Sequence, residues 1–514
     1  MFWVIKIVQK EVKQMKSKLK RCITAAAAFA ALLTMGVSSA AAEGAPYESY
    51  NYDRWGDAIP SQAGYLPDCT LSGIDLGVGA FESPSDIFFD SRGLLYIADT
   101  GNDRIVVTGR GFDGAECIYD RFTMPDGSET SLKQPMGVYV SAEKGLIYIA
   151  DTENSRVLVS DMDGNVQCEM TKPDSEVYDQ KRTFLPQRVV ADKAGNVYVV
   201  LGNITTGAAM FSPDGEFMGF YGANRVAPTA KIISNYVRGL FMSDEKKENR
   251  TRTVPSGITS FDMEGDFIFT CTSSMTKSTD IVKKLNAAGK NIFADRELYF
   301  GDYKPVYDAT QNKMYSPSMV DIDISEDGCI NCLDFTTGRI FQYDEECNLL
   351  FITGAVAKQT GGFEHAAAVE SYGDKLYVLD SSKDTITVFR ETSFGSIVHK
   401  ASSLYNDGYY EEALGPWQEV LKRDGNYRRA YVGVASALLR KGDYKGAMKY
   451  AKLADAGDIY NKAFEGRRRE FLKENFTAII AALVVGAGAL TAFGKYRKKR
   501  GAAAKAEKKE AEQL

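Results

Sequence analysis

Two histidines, His365 and His399, are all that this 514-residue chain possesses, and that scarcity bounds its chemistry. A catalytic zinc takes about three protein ligands, with histidine the commonest, so a histidine-built zinc centre is close to excluded. Segments that each open near a proline place Asp86, Gln187, Arg188, Ser256, Ser318, Glu364 and His365 near the start of a strand. The set has mixed charge and no obvious nucleophile–base pair. Asp86 and Glu364 offer oxygens suited to a hard divalent ion such as calcium, but no inward asparagine completes a ligand shell. The expectation is therefore a binding funnel formed by Asp86, Gln187, Arg188, Glu364 and His365, with no catalytic residue, no resident metal and no cofactor. Cys329 and Cys332 have CxxC spacing but fall in an expected strand, where residues three apart face opposite ways. They read as ordinary core and surface positions.

The elements that must position these residues come from an internal repeat. Leu95-Tyr-Ile-Ala-Asp-Thr-Gly-Asn-Asp-Arg-Ile105 returns as Ile147-Tyr-Ile-Ala-Asp-Thr-Glu-Asn-Ser-Arg-Val157, 52 residues later. Fainter copies follow Pro186, Pro255 and Pro317, and a last one runs through Phe363 to Asp380, which makes six units. Each alternates short apolar strands with turns such as Asp90-Ser-Arg-Gly93. A small four-stranded unit cannot bury both faces alone, so such units stack radially as propeller blades. The sixth unit turns helical after its third strand, and Cys69–Leu76, ahead of the first unit, is expected to supply the missing outer strand and close the ring.

At Asp99-Thr-Gly-Asn-Asp-Arg104 and Asp151-Thr-Glu-Asn-Ser-Arg156 the sequence resembles NHL-repeat propellers. Turn chemistry accounts for every member of these motifs, with the arginine tying the loop down. The resemblance implies a six-bladed fold and a binding platform over residues 81–392, and no particular reaction. Its enzymatic alternative is a gluconolactonase-like hydrolase, which would need calcium.

Beyond the repeat, the chain reads as membrane-anchored. Lys16, Lys18, Lys20 and Arg21 precede an apolar run and the small residues Ala40-Ala-Ala42, the pattern of a signal peptide over residues 1–42. Residues 43–80 form an N-terminal segment. An insertion at about 222–254 carries apolar residues at helical spacing, read as a helix across a propeller face. From residue 394 to 475 the period is helical. Gly408-Tyr-Tyr-Glu-Glu-Ala413 recurs as Gly442-Asp-Tyr-Lys-Gly-Ala447, 34 residues on, and resembles tetratricopeptide (TPR) repeats. Residues 476–494 are apolar and long enough to span a bilayer. The basic residues Lys495, Arg497, Lys498, Lys499 and Arg500 follow, which places the tail 495–514 in the cytoplasm.

The expected architecture is mainly β: a six-bladed propeller, a C-terminal α-helical TPR-like module and one transmembrane helix. A net charge of -6 argues against nucleic acid, which demands a basic face. The expected role is an extracytoplasmic, membrane-anchored binding or scaffold protein. Its expected partner is a membrane-associated protein, with a glycan or small molecule as a further ligand class.

Overall fold

A computed structural model describes residues 44–202, 204–222, 257–273, 281–293, 296, 298–304, 306–308, 313–315 and 317–511. The expected signal peptide, Ser256 and all but the first residue of the expected 222–254 insertion lie outside the described residues.

The repeat folds into six antiparallel blades. Blade one contains Asp86–Phe89, Leu95–Asp99, Arg104–Thr108 and Ala115–Tyr119. Blade two contains Pro135–Ser141, Leu146–Asp151, Arg156–Asp161 and Val166–Met170. Blade three contains Pro186–Ala191, Val197–Leu201, Ala208–Phe211 and Phe217–Tyr221. Blade four has three strands among the described residues: Ile258–Glu264, Phe267–Thr272 and Val282–Leu285. Blade five contains Met319–Ile324, Ile330–Asp334, Arg339–Tyr343 and Leu349–Thr353. Blade six contains Ala366–Tyr372, Lys375–Asp380 and Thr385–Glu391, and its outer strand is Tyr65–Ser72. The innermost strand of every blade touches that of the next, and blade six touches blade one, so the ring is closed.

The ring follows from side-chain alternation. Leu95 and Ile97 pack toward blade six, while Tyr96 and Ala98 pack toward blade two. Both faces of such a strand are covered, and all five residues of Leu95–Asp99 are buried. Six apolar clusters fill the six blade interfaces. Two-sided burial also corrects the reading of the paired cysteines. Cys332 packs between blades four and five and Cys329 between blades five and six, so they do face opposite ways, but neither is a surface residue.

The outer strand of blade six begins at Tyr65, four residues before Cys69, and pairs with Thr385–Glu391. Pro67 and Asp68 conceal its start in the sequence. A proline is tolerated here because this is an edge strand, which need not donate on its outer side.

Six helices follow: α1 (Ser393–Asn406), α2 (Tyr410–Arg423), α3 (Arg428–Lys441), α4 (Tyr444–Leu453), α5 (Gly457–Glu474) and α6 (Phe476–Ala511). Thr392 caps α1 by accepting from the Gly395 amide at 3.0 Å. Gly408 and Gly442 sit at positive φ where the chain reverses, a conformation that glycine adopts without strain. Each of α1 to α4 packs on its successor, and α5 leads through Asn475 into α6.

The helices share a core with the propeller. Val398, Trp417, Tyr427 and Val434 belong to the same buried cluster as Leu333, Phe351 and Phe389 of blades five and six. Polar contacts fix the seam. The Tyr427 hydroxyl donates to the Leu350 carbonyl at 2.9 Å. His399 Nε2 lies 2.7 Å from Gln342 Oε1, and Arg429 pairs with buried Asp344 at 3.0 Å. Gly433 is required where α3 crosses Trp417, because a Cβ there would lie 2.3 Å from the indole. Gly433→Ala is expected to cost about 1–3 kcal/mol through overpacking, read as a lower urea midpoint with an unchanged slope.

Within α6, Phe476–Ala502 is long and apolar enough to cross a membrane, and its apolar window is not buried against the rest of the chain. The helix runs unbroken through the basic residues that follow.

Candidate functional site

Six innermost strands surround the propeller axis, and their register defines two levels along it. In blades two to six a bulge interrupts each innermost strand after its first residue. Beyond it, Gly137, Arg188, Ser260, Asp321 and Ala368 occupy equivalent positions, with Asp86 their counterpart in blade one. Two residues on, and so on the same face, stand Phe88, Tyr139, Val190, Asp262, Asp323 and Glu370. The second level is divided: blades one to three contribute two aromatic rings and a valine, and blades four to six contribute three carboxyl groups.

Arg188 bridges the first level. Its Nη1 donates to the Met136 carbonyl at 2.7 Å. Its Nη2 donates to the carbonyls of Ser85 at 2.9 Å and Ala367 at 3.3 Å. Its Nε stands 3.4 Å from Asp86. One side chain from blade three thus reaches blades two, one and six, the last lying across the axis. Above it opens a cavity of about 300 Å³ lined by Gln187, Arg188, Gly202, Thr205, Thr259 and Val320, among others.

The axial carboxylates also stitch neighbouring blades together. Asp86 accepts from the Val138 amide of blade two at 3.0 Å. Asp262 accepts from the Ile324 amide of blade five at 2.7 Å, and Asp321 from the Val369 amide of blade six at 2.7 Å. Asp323 accepts from Asn331 at 2.7 Å.

Burial dominates their proton affinities. Desolvation pushes Asp262 up to about 8, with the charge of Asp323 adding to the rise. Desolvation pushes Asp86 up to about 7 against the lowering pull of Arg188. It raises Asp323 to about 6 despite hydrogen bonds from Ser371 and Asn331, and raises Asp321 against Arg188. Glu370 is driven well above the carboxylate range by burial and then by Asp323 and Asp262.

The five expected funnel residues therefore separate. Asp86 and Arg188 meet, and Gln187 lines the mouth above them. Glu364 and His365 do not join them. The Glu364 side chain is half-exposed beside Lys358. The His365 ring stacks on Phe335 with centroids 5.4 Å apart and hydrogen-bonds to Ser382. Ser318 bonds to Ser273 through their hydroxyls at 2.7 Å. Among the described residues no group of three or more His, Cys, Asp or Glu side chains is arranged to hold a metal ion. Sequence reasoning missed Asp262, Asp321, Asp323 and Glu370. Their signal was present in Asp321-Ile-Asp323: carboxylates two apart in an apolar strand share a face, and burial makes such a pair costly.

The repeated motif has a separate, structural geometry. Asp99 accepts from the Glu82 amide, Asn102 and Arg104 at 2.8, 2.9 and 2.8 Å. Asp151 does the same for the Lys133 amide, Asn154 and Arg156 at 2.7, 2.8 and 2.7 Å. Each aspartate ties the entry loop of its blade to the turn. Asn154→Ala loses the bonds to Asp151 and to the Ser131 carbonyl, with an expected cost of about 1 kcal/mol and a small fall in melting temperature.

The sequence pattern of the NHL repeat matches residues 132–159, the inner three strands of blade two and the loop that enters it. A gluconolactonase from Zymomonas mobilis is 26% identical over 193 residues, 34% of this chain and 52% of that protein. The chain thus spans about half the length of this curated relative. A catalytically inactive virginiamycin B lyase from Staphylococcus aureus, solved with quinupristin, aligns at 11% identity over 67% of this chain and 95% of that one, with a TM-score of 0.38. Hydrazine synthase from Kuenenia stuttgartiensis aligns at 11% identity over 61% and 96%, with a TM-score of 0.36. The class is defined by the chain's own geometry: a six-bladed β-propeller with an NHL repeat, C-terminal helices and one candidate membrane-spanning helix.

Proposed function

We propose that this chain is a single-pass membrane protein whose propeller and TPR-like helices form an extracytoplasmic binding platform for a partner in or near the same membrane. The observation that carries this reading is the common core of blades five and six with α1 to α3. Together with the helix-to-helix packing from α1 through α5 and the direct continuation of the chain through Asn475 into α6, it joins the propeller to the candidate span. Two adjacent surfaces, the channel mouth and the helical module, are then held together near the lipid. The basic residues after the apolar window favour a cytoplasmic C-terminus. Arg188 and the axial carboxylates are engaged in holding blades together, which suits a platform better than a reacting centre. Crosslinking in intact membranes, followed by identification of captured proteins, tests the reading. Repeated recovery of one membrane complex is expected, and recovery of nothing beside a small molecule bound at the mouth would replace a protein partner with a solute.

The likeness to a gluconolactonase favours a second reading, metal-dependent lactone hydrolysis. Stoichiometric calcium in the purified ectodomain together with lactone turnover would establish it, and the platform reading expects neither.

A further inference from the structure

We propose that the groove between α5 and the α3–α4 corner binds the phosphate headgroup of an anionic membrane lipid. This site rests on the reading that α6 crosses the membrane.

The groove has a volume of about 560 Å³, within the range of about 300–1,000 Å³ typical of ligand pockets. Lys462, Gly466, Arg469 and Lys473 line it from α5. Their spacing of four, three and four residues puts them along one face of the helix. Arg440, at the last turn of α3, lines the opposite wall with Tyr444. Four cationic side chains thus line one space with the carboxylate of Glu470, and Arg469 also pairs at 3.3 Å with exposed Glu465 on its own helix, a weak surface pair that a phosphate can replace. Gly466 shapes the wall: a Cβ there would lie 2.2 Å from Tyr444 Cε1. The Arg440 guanidinium is held over the Tyr410 ring, 5.1 Å from its centroid.

Position selects the ligand. Lys473 precedes Phe476, the first residue of the candidate span, by three residues, about 4.5 Å along a helix. Arg469 stands about 10 Å from the same point. The polar layer of one leaflet is roughly 5–8 Å deep. Lys473 therefore lies within the headgroup layer and Arg469 a few ångströms outside it, close enough for its long side chain to reach back, while Arg440 and Lys462 extend the positive wall above. Phe471 and Leu472, both exposed, flank Lys473 with apolar surface at the same depth. Charge complementarity and continuity with the span point to a lipid phosphate held between Lys473 and Arg469.

The test uses the full chain in nanodiscs of phosphatidylcholine mixed with phosphatidylglycerol, followed by native mass spectrometry of the lipids retained on release. Wild type is expected to retain phosphatidylglycerol preferentially. Lys462→Gln/Arg469→Gln/Lys473→Gln, all at exposed positions, is expected to lose that preference by about tenfold or more, as removal of the two cations nearest the interface, Arg469 and Lys473, implies. Arg467→Gln/Arg468→Gln, on the same helix but outside the groove lining, should retain it. Equal retention in wild type and the triple variant would overturn the site. Equal loss in both variants would overturn it too, since diffuse helix charge would then suffice. Displacement of the lipid by millimolar inorganic phosphate would reassign the groove to a soluble anion. Protein that fails to enter nanodiscs would overturn the anchor and the site together, whereas insertion without lipid preference would overturn the site alone.

Discussion

The folded propeller is expected to gain stability as pH falls from about 8 toward 5, and Glu370→Gln is expected to remove much of that gain. An ordinary unfolded aspartate or glutamate has a pKa of about 4. In the folded chain Asp262, Asp86 and Asp323 stand at about 8, 7 and 6, and Asp321 and Glu370 are also raised. Over this interval the folded state holds more protons than the unfolded one, so stability falls as pH rises. The contribution of these groups is fully present below about pH 4 and is lost as pH climbs through each folded pKa. At about 1.4 kcal/mol for each tenfold difference in proton affinity, the combined effect is on the order of several kcal/mol, moderated by the sharing of protons within the cluster. Surface aspartates such as Asp161, pulled below the usual range by Asn165, oppose the trend only below about pH 4. Gln at position 370 keeps the shape and replaces a group whose raised proton affinity makes folding take up a proton, so that share of the pH dependence disappears. The variant should therefore match wild type near pH 5 and exceed it near pH 8. Urea unfolding at fixed ionic strength across this range provides the measurement. A flat or rising wild-type profile between pH 5 and 8 would contradict the arrangement of the axis.

The blades were legible because each strand carries its alternation locally: Leu95-Tyr-Ile-Ala-Asp99 needs two buried faces whatever lies around it. The motif was legible as turn chemistry, and its hydrogen bonds at Asp99 and Asp151 have that character. The axis was not, because its composition depends on which face of six distant strands points inward and on the bulge that shifts register after Pro135 and its counterparts. Asp86 and Arg188 came within the expected set through their proximity to the strand starts. Glu364 and His365 share that proximity but precede Ala366, where the innermost strand of blade six begins, and so remain on the rim. The role of His399 was hidden for a similar reason. Its partner Gln342 is 57 residues earlier, in blade five, and only the packed seam between blade and helix brings the two together.

Removing the N-terminal segment through Ser72 is expected to abolish cooperative folding of the propeller rather than trim an end. Tyr65–Ser72 is the neighbour on the outer side of Thr385–Glu391, pairing along the length of that strand. Its loss would uncover a row of backbone donors and acceptors and an apolar edge that includes Ile386, Val388 and Phe389, all buried in the intact chain. The same segment joins the propeller to the helices. The Gly64 carbonyl accepts from the Thr392 amide at 2.8 Å, Thr392 Oγ1 donates to the Ala63 carbonyl at 2.9 Å, and Ser61 donates to Asp424 at 2.6 Å. Because the strand belongs to the start of the chain and its blade to the end, it locks the ring against opening between blades six and one. The loss is expected to approach the whole stability of a domain, about 5–15 kcal/mol, and should appear as disappearance of the cooperative thermal transition. Leu71→Asp provides a gentler form of the test. It places an unpaired charge in the cluster with Ile386 and Val388 and should cost about 3 kcal/mol or more, with hydrogen exchange quickening first in blades six and one. A truncated chain that melts like wild type would mean that three strands suffice for the last blade and that the ring is held by its inner strands alone.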